Sequence, residues 1–104
     1  MMDMMDRIRA IGQRLKKEYH AERVILFGSY AAGQATEDSD VDLLVIAPTS
    51  EPFLQRRAMV KRLIRDLRNG LAVAPIVLTS QEIEKQVRLR DPFILNVLEE
   101  GVEL

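Results

Sequence analysis

The sequence predicts an α/β domain in which strands and helices alternate within one layered structure. Short apolar runs typical of buried strands alternate along the chain with longer amphipathic segments typical of helices, in the order αβ(turn)βαβαα. The chain has 104 residues, the length of one ordinary domain, and no internal repeat, low-complexity tract or linker divides it. We therefore expect residues 1–104 to form a single domain.

The first half of the chain is predicted to form one helix and two strands. Residues 3–19 carry apolar side chains at helical spacing, namely Met4, Ile8, Ile11, Leu15 and Tyr19. Residues 24–27 are a β-type apolar run that stops at Gly28 and Ser29, where small residues permit a tight turn. Residues 41–47 indicate a second, fully buried strand that ends at Pro48.

The next segment is predicted to contain one long helix and a third strand. Residues 52–69 carry an apolar face and end at Asn69-Gly70, so we expect one continuous helix. Residues 71–78 are a strand candidate that Pro75 interrupts.

Two further helices are predicted from their first residues. Thr79 and Glu82 have the spacing of a capping box. Asp91 and Pro92 fit an N-cap followed by proline at the first helical position, and Gly101 ends that helix.

The residue usage excludes several kinds of site. The chain has no cysteine and a single histidine, His20, which excludes disulfides, thiol nucleophiles, Cys/His zinc sites and histidine-centred triads. A formal net charge of -1 excludes a strongly basic nucleic-acid arm, so we expect no nucleic-acid partner. No apolar run approaches the ~20 residues that span a bilayer, and we expect a cytoplasmic protein. Carboxylates and hydroxyls remain for chemistry.

A pair of carboxylates stands at the entry to the second strand. Asp40 and Asp42 are one residue apart, so their side chains point to the same face, roughly 7 Å apart along the backbone. Like charges that close repel unless a cation lies between them, and oxygen ligands favour Mg²⁺ or Mn²⁺. The alternative is that both are ordinary loop residues before a strand.

A small-residue turn precedes this pair. The glycine of Gly28-Ser29 would let a phosphate approach the backbone, and the Ser29 hydroxyl could bond one of its oxygens. The alternative is a plain turn with a helix cap. Together, the N–H groups of the turn could hold the phosphates of a nucleotide, and the carboxylate pair could hold the metal ion bound to those phosphates.

These residues resemble a known family. The segments FGSYAAG, at residues 27–33, and SDVDLLV, at residues 39–45, match the Gly-Ser-x(10)-Asp-x-Asp signature of DNA polymerase beta-like nucleotidyltransferases, in the short form called minimal nucleotidyltransferases, which are MNT antitoxin-like. The resemblance covers nearly the whole chain. It implies a small mixed β-sheet flanked by helices, Gly28 and Ser29 as nucleotide-binding residues, and Asp40 and Asp42 as catalytic residues that ligate Mg²⁺, with ATP as substrate.

The chain departs from the family pattern at two positions. The family has a third carboxylate on the next core strand, which completes the metal site and serves as the base; aligning the strands places Pro75 there. Ala32 stands where many members have an arginine. Glu82, Glu84, Asp38 or an acid from a partner could substitute for the base.

The resemblance implies two alternative functions. One is transfer of AMP from ATP to a hydroxyl of a partner protein, with this chain as the antitoxin and a HEPN-type ribonuclease toxin as the acceptor. The other is a catalytically degenerate antitoxin that neutralises its toxin by binding. The basic segment 56–68 would be either a solvated face or a docking face for an acidic partner or RNA. The chain could also form an oligomer.

Overall fold

The structure, a computed structural model, describes residues 3–104. Within them five helices and four strands follow one another, with these bounds: α1 Met4–Glu18, β1 Arg23–Phe27, β2 Val41–Ile46, α2 Phe53–Leu63, α3 Arg65–Arg68, β3 Val73–Leu78, α4 Ser80–Arg88, α5 Pro92–Glu100 and β4 Val102–Glu103. None of the helices in this range is both long and apolar enough to cross a membrane.

The four strands form one mixed sheet in the order β3-β2-β1-β4. The pair β2–β3 is parallel, and β1 is antiparallel to both β2 and β4. The prediction of an α/β fold with a small mixed sheet flanked by helices is confirmed.

Helices cover both faces of the sheet. On one face, α1 and α2 bury side chains such as Ile11 and Val60 against Leu26 and Leu43. On the other, α4 and α5 contribute Ile83, Ile94 and Val97, which pack on Ile25, Leu44 and Ile46. Because side chains alternate between the two faces along a strand, the central strands β1 and β2 contribute side chains to the hydrophobic cores on both faces.

The caps predicted for α4 and α5 are present. The Thr79 side chain accepts a hydrogen bond from the Glu82 N–H, and the Glu82 carboxylate accepts from the Thr79 N–H at 2.7 Å. Asp91 accepts from the Ile94 N–H at 3.0 Å, with Pro92 at the first helical position. Both segments therefore contain local signals that fix where the helix begins.

The single helix expected over residues 52–69 is wrong, because it breaks into α2 and α3 at Ile64. The Arg14 guanidinium of α1 donates to the Leu63 carbonyl at 2.9 Å and to Asp66. The Leu67 N–H bonds the Ile64 carbonyl instead of the Leu63 carbonyl. A side chain that enters the hydrogen-bond ladder is a known cause of a helix break.

Strand β3 forms one edge of the sheet, which suits Pro75. The carbonyls of Ala72 and Leu78 accept from N–H groups at the two ends of β2. Since backbone direction alternates along a strand, the backbone of Pro75 points away from β2, and its missing N–H removes no bond of the sheet. The Val77 carbonyl, which also points outward, accepts from buried Arg56 at 3.2 Å.

Strand β4 lies outside the predictions, because two residues carry no periodic signal. Its Val102 pairs with Leu26 of β1. Gly101 permits this approach, since a Cβ there would meet the Val97 carbonyl oxygen at 2.5 Å and the Leu26 carbonyl oxygen at 3.1 Å. The end of α5 is thereby held against β1.

Candidate functional site

The turn after β1 and the start of β2 touch each other. Phe27 pairs with Asp42 in the antiparallel register, and Gly28 follows directly. A Cβ built on Gly28 would overlap Oδ2 of Asp42 and would lie 3.2 Å from its Cγ. The φ angle of Gly28 is also positive, at 75°. Only glycine meets both demands without strain, so the carboxylate rests against bare backbone.

The residues after Gly28 form one helical turn. The Ala32 N–H donates to the Gly28 carbonyl at 3.1 Å, and the Gln34 N–H donates to the Ser29 carbonyl at 2.9 Å. Gly33 closes the turn with a φ of 72°. Within residues 3–104, the N–H groups of Ser29, Tyr30 and Ala31 donate to no protein acceptor. Such unpaired N–H groups at the start of a turn suit an anion.

The two carboxylates at the start of β2 differ in their surroundings. Asp40 is exposed, whereas Asp42 is partly buried on the sheet face that α4 and α5 cover. Burial raises the pKa of the Asp42 carboxyl, and the negative charge of Asp40 raises it further. A cation between the two groups would relieve both effects. The hard oxygen donors fit Mg²⁺ or Mn²⁺.

The described part of the chain holds no cluster of three His, Cys, Asp or Glu side chains arranged for a metal. The register of β3 gives the reason, and it corrects the alignment of Pro75 with the family's third carboxylate. Ala74, not Pro75, pairs with Asp42 across the parallel ladder, and Pro75 pairs with Leu43 on the opposite face. The position beside Asp42 is therefore occupied by a methyl group.

Glu82 does not replace the missing acid. It lies beyond the end of β3, where Leu78 pairs with Ile46, while Asp42 lies at the beginning of β2. Four residues of strand separate the two ends, roughly 13 Å. The Glu82 carboxylate also bonds the Arg56 guanidinium at 2.7 Å, which lowers its pKa. It is a structural group at the other end of the sheet.

The basic segment divides into two parts. Arg56 is 8% exposed and belongs to the interior. The other cations of the segment form no ion pair within residues 3–104. They are Arg57, Lys61, Arg62, Arg65 and Arg68. The only acid of the segment, Asp66, is paired with Arg14. Helix α2 packs on the sheet face opposite Asp42, so this surface is separate from the carboxylate pair.

A cleft opens on the other side of Gly28, between the turn and the end of α5. Its volume is about 340 Å³. The turn contributes Ala31 and Ala32, and α5 contributes Asn96 and Glu100. Both α5 residues lie outside the sequence predictions, because long-range packing of α5 on β1 and the pairing of β4 with β1 bring them to the turn.

A family model of the nucleotidyltransferase domain matches residues 8–103 of this chain. The chain belongs to the nucleotidyltransferase domain family. This family lies in the DNA polymerase beta-like superfamily, as the signature indicated.

Several proteins are similar to this nucleotidyltransferase domain. One Methanocaldococcus jannaschii protein, provisionally assigned as a protein adenylyltransferase, is 34% identical over 89 residues, which are 84% of this chain and 83% of the relative. A second protein of that organism with the same provisional assignment is 37% identical over 81 residues, 72% of this chain and 52% of its own length. A crystal structure of a provisionally assigned nucleotidyltransferase from Sulfolobus solfataricus has a TM-score of 0.64 and 25% identity, over 96% of this chain and 78% of that one.

Because the chain belongs to this family, its implied class of substrate is a nucleotide.

Proposed function

We propose that this domain is a Mg²⁺-dependent nucleotidyltransferase that moves AMP from ATP to a hydroxyl group of a partner protein. The observation that carries the proposal is the contact between Gly28 and the Asp42 carboxylate. It brings a turn with unpaired N–H groups and a repelling carboxylate pair to one place, as a metal-bound triphosphate requires. The provisional assignment of the relatives as protein adenylyltransferases supports the choice of AMP and of a protein acceptor.

In this proposal each group of the chain has one task. The Ser29 hydroxyl and the N–H groups of the turn bind phosphate oxygens. Asp40 and Asp42 hold the metal, which when bound neutralises phosphate charge. The acceptor oxygen forms a bond to the α-phosphorus, the bond from that phosphorus to the β-phosphate oxygen breaks, and pyrophosphate leaves. The proton of the acceptor hydroxyl needs a base.

The chain offers no carboxylate at position 74 to accept this proton. Loss of a general base costs about 10²–10⁴-fold in rate, so transfer by Asp40 and Asp42 alone would be slow. An acid from the partner protein would fill the gap next to Ala74. The proposed partner is a HEPN-type toxin, with this chain as its antitoxin, which rests on the resemblance to minimal nucleotidyltransferases.

A second candidate function follows from the same alanine. A site with two carboxylates can bind a metal-bound nucleotide without transferring it. In that case the protein would neutralise its toxin by direct contact, and nucleotide binding would be a remnant or a regulator of the complex.

The test is the intact mass of a HEPN-type candidate partner protein after incubation with this chain, ATP and Mg²⁺. We expect the mass to rise by one AMP unit, or by several, with the wild type and not with Asp42→Asn. Glu99→Gln is the matched control, since it removes an exposed carboxylate of α5 that has no assigned role in the site.

A partner that stays unmodified but is inhibited would favour the binding function. Equal mass gain with wild type and Asp42→Asn would contradict the assignment of Asp42.

A further inference from the structure

The cleft beside Gly28 has the size and position of a second part of the candidate site. At about 340 Å³ it lies in the range of small-ligand pockets. Gly28 forms its inner wall and also contacts Asp42 on its other side. Since β1 lies between β2 and β4 in the sheet, the cleft and the carboxylate pair flank the same backbone from opposite sides.

The walls of the cleft differ in chemistry. Phe27, Ala31 and Ala32 give an apolar surface, and the short side chain at position 32 leaves the space open. Asn96 and Glu100 lie one turn apart on α5 and supply an amide and a carboxylate. Neither side chain forms a hydrogen bond or ion pair within residues 3–104, so both are available to a ligand.

Glu100 forms no three-carboxylate cluster with Asp40 and Asp42 within the described residues. Asp40 and Asp42 lie at the start of β2, whereas Glu100 lies at the end of α5 and lines the cleft. A lone carboxylate at neutral pH accepts hydrogen bonds and donates none. A pair of hydroxyl groups can donate to its two oxygens, while a neighbouring amide can both donate to and accept from the edge of a heterocyclic base.

We propose that this cleft binds the nucleoside of the nucleoside triphosphate, with Glu100 accepting hydrogen bonds from the ribose hydroxyls and Asn96 bonding the edge of the base. The inference rests on the proposed function, because it places the phosphates on the other side of Gly28, at the turn and the carboxylate pair. It makes α5 the element that selects a ribonucleotide.

The experiment compares the binding of Mg-ATP, Mg-2′-deoxy-ATP and Mg-tripolyphosphate by isothermal titration calorimetry. The last ligand carries the phosphates without a nucleoside. We expect Glu100→Ala and Asn96→Ala each to lower the affinity for Mg-ATP by about tenfold, which is the contribution of one hydrogen bond. The affinity for Mg-tripolyphosphate should stay unchanged. Glu100→Ala should also abolish the preference of the wild type for ATP over 2′-deoxy-ATP. Asp42→Asn should lower the affinity for all three ligands.

Two further variants keep the comparison sharp. Glu99→Ala removes the neighbouring carboxylate of α5, which does not line the cleft, and should bind like the wild type. Ala32→Trp fills the cleft from the turn and should weaken the binding of Mg-ATP and Mg-2′-deoxy-ATP but not that of Mg-tripolyphosphate; residue 32 is exposed, so folding survives.

The outcomes separate the two proposals. If the wild type binds Mg-ATP and all α5 and Ala32 variants bind it equally well, the nucleoside inference is overturned and the proposed function stands. Variants that lower transfer to a partner without lowering Mg-ATP affinity also overturn it, because the cleft then holds the acceptor. A wild type that binds neither Mg-ATP nor Mg-tripolyphosphate overturns the proposed function together with this inference.

Discussion

At the scale of single residues, Gly28 connects the fold with the candidate site. Its positive φ angle lets the chain turn sharply out of β1, and its missing side chain leaves room for the Asp42 carboxylate. Gly33 has nearly the same φ angle but no atom within 4 Å of a built Cβ. A side chain at position 33 would therefore cost backbone strain alone, whereas a side chain at position 28 would cost backbone strain and also collide with Asp42.

We expect Gly33→Ala to lower the free energy of unfolding by about 1–2 kcal/mol, from the left-handed conformation alone. Gly28→Ala should cost clearly more and should also weaken Mg-ATP binding, because the new methyl group displaces the Asp42 carboxylate. Urea unfolding and calorimetry measure the two effects. Equal costs for both variants would show that Asp42 moves aside freely.

The neighbour of Asp42 on β3 gives a second prediction. Ala74→Asp places a carboxylate beside Asp42 and should raise the transfer rate, by up to the 10²–10⁴-fold that a general base supplies. Pro75→Asp should not raise it, because its carboxylate would face the buried core under α1 and α2 without a partner. That variant should lose about 3 kcal/mol or more of stability. Transfer assays and thermal unfolding of both variants check this, and a gain of activity in Pro75→Asp alone would contradict the register.

The motif residues could be found from the sequence, whereas their neighbour on β3 could not. The spacing of Gly28, Ser29, Asp40 and Asp42 is local and carries the family signature. Which residue of β3 lies beside Asp42 depends on the register between two strands that a helical segment separates. A shift of one residue moves a side chain to the other face, which is the error at Pro75.

At the scale of elements, long-range contacts of arginine side chains decide where the helices lie. Arg14 of α1 binds the Leu63 carbonyl and so separates α2 from α3. Arg56 of α2 binds the Val77 carbonyl of β3 and the Glu82 carboxylate of α4. These two side chains join elements that are distant in sequence.

The caps of α4 and α5 were predictable because all their partners lie within three residues. The break at Ile64 was not, because Arg14 lies far away in the chain. Strand β4 escaped prediction for a similar reason: its two residues become a strand only by pairing with β1.

The pair Arg56–Glu82 makes stability depend on pH. The pKa of Glu82 lies below its unfolded value of about 4.5, so the contribution of the ionised form is complete above that pH and is lost as pH falls through the folded pKa. We expect Glu82→Gln to lower stability by about 1 kcal/mol at pH 7, since the side chain is 42% exposed and partly screened.

The difference between Glu82→Gln and the wild type should shrink in acid, below about pH 4.5. Glu84→Gln is the control, because Glu84 forms no ion pair within residues 3–104. Urea unfolding at several pH values measures both. A difference that persists unchanged at pH 3 would contradict an electrostatic origin.

At the scale of the whole molecule, the sheet separates the candidate site from the basic surface of α2 and α3. The start of β2, the turn after β1 and the end of α5 form the candidate site, and α4 and α5 cover that face. The unpaired cations of α2 and α3 lie over the opposite face. With a net charge of only -1, the molecule is close to neutral overall, so this basic surface is a local feature of α2 and α3.

The proline of β3 also bears on aggregation. An exposed sheet edge is a template onto which a strand from another molecule can add, and edge strands with free N–H and C=O groups in register are where this begins. On β3 the outward-facing N–H at Pro75 is missing and the outward-facing Val77 carbonyl is occupied by Arg56. We expect Pro75→Val to fold normally yet to form higher-order species at high concentration, as light scattering would detect. A variant as monodisperse as the wild type would mean that α2 shields this edge without help from the proline.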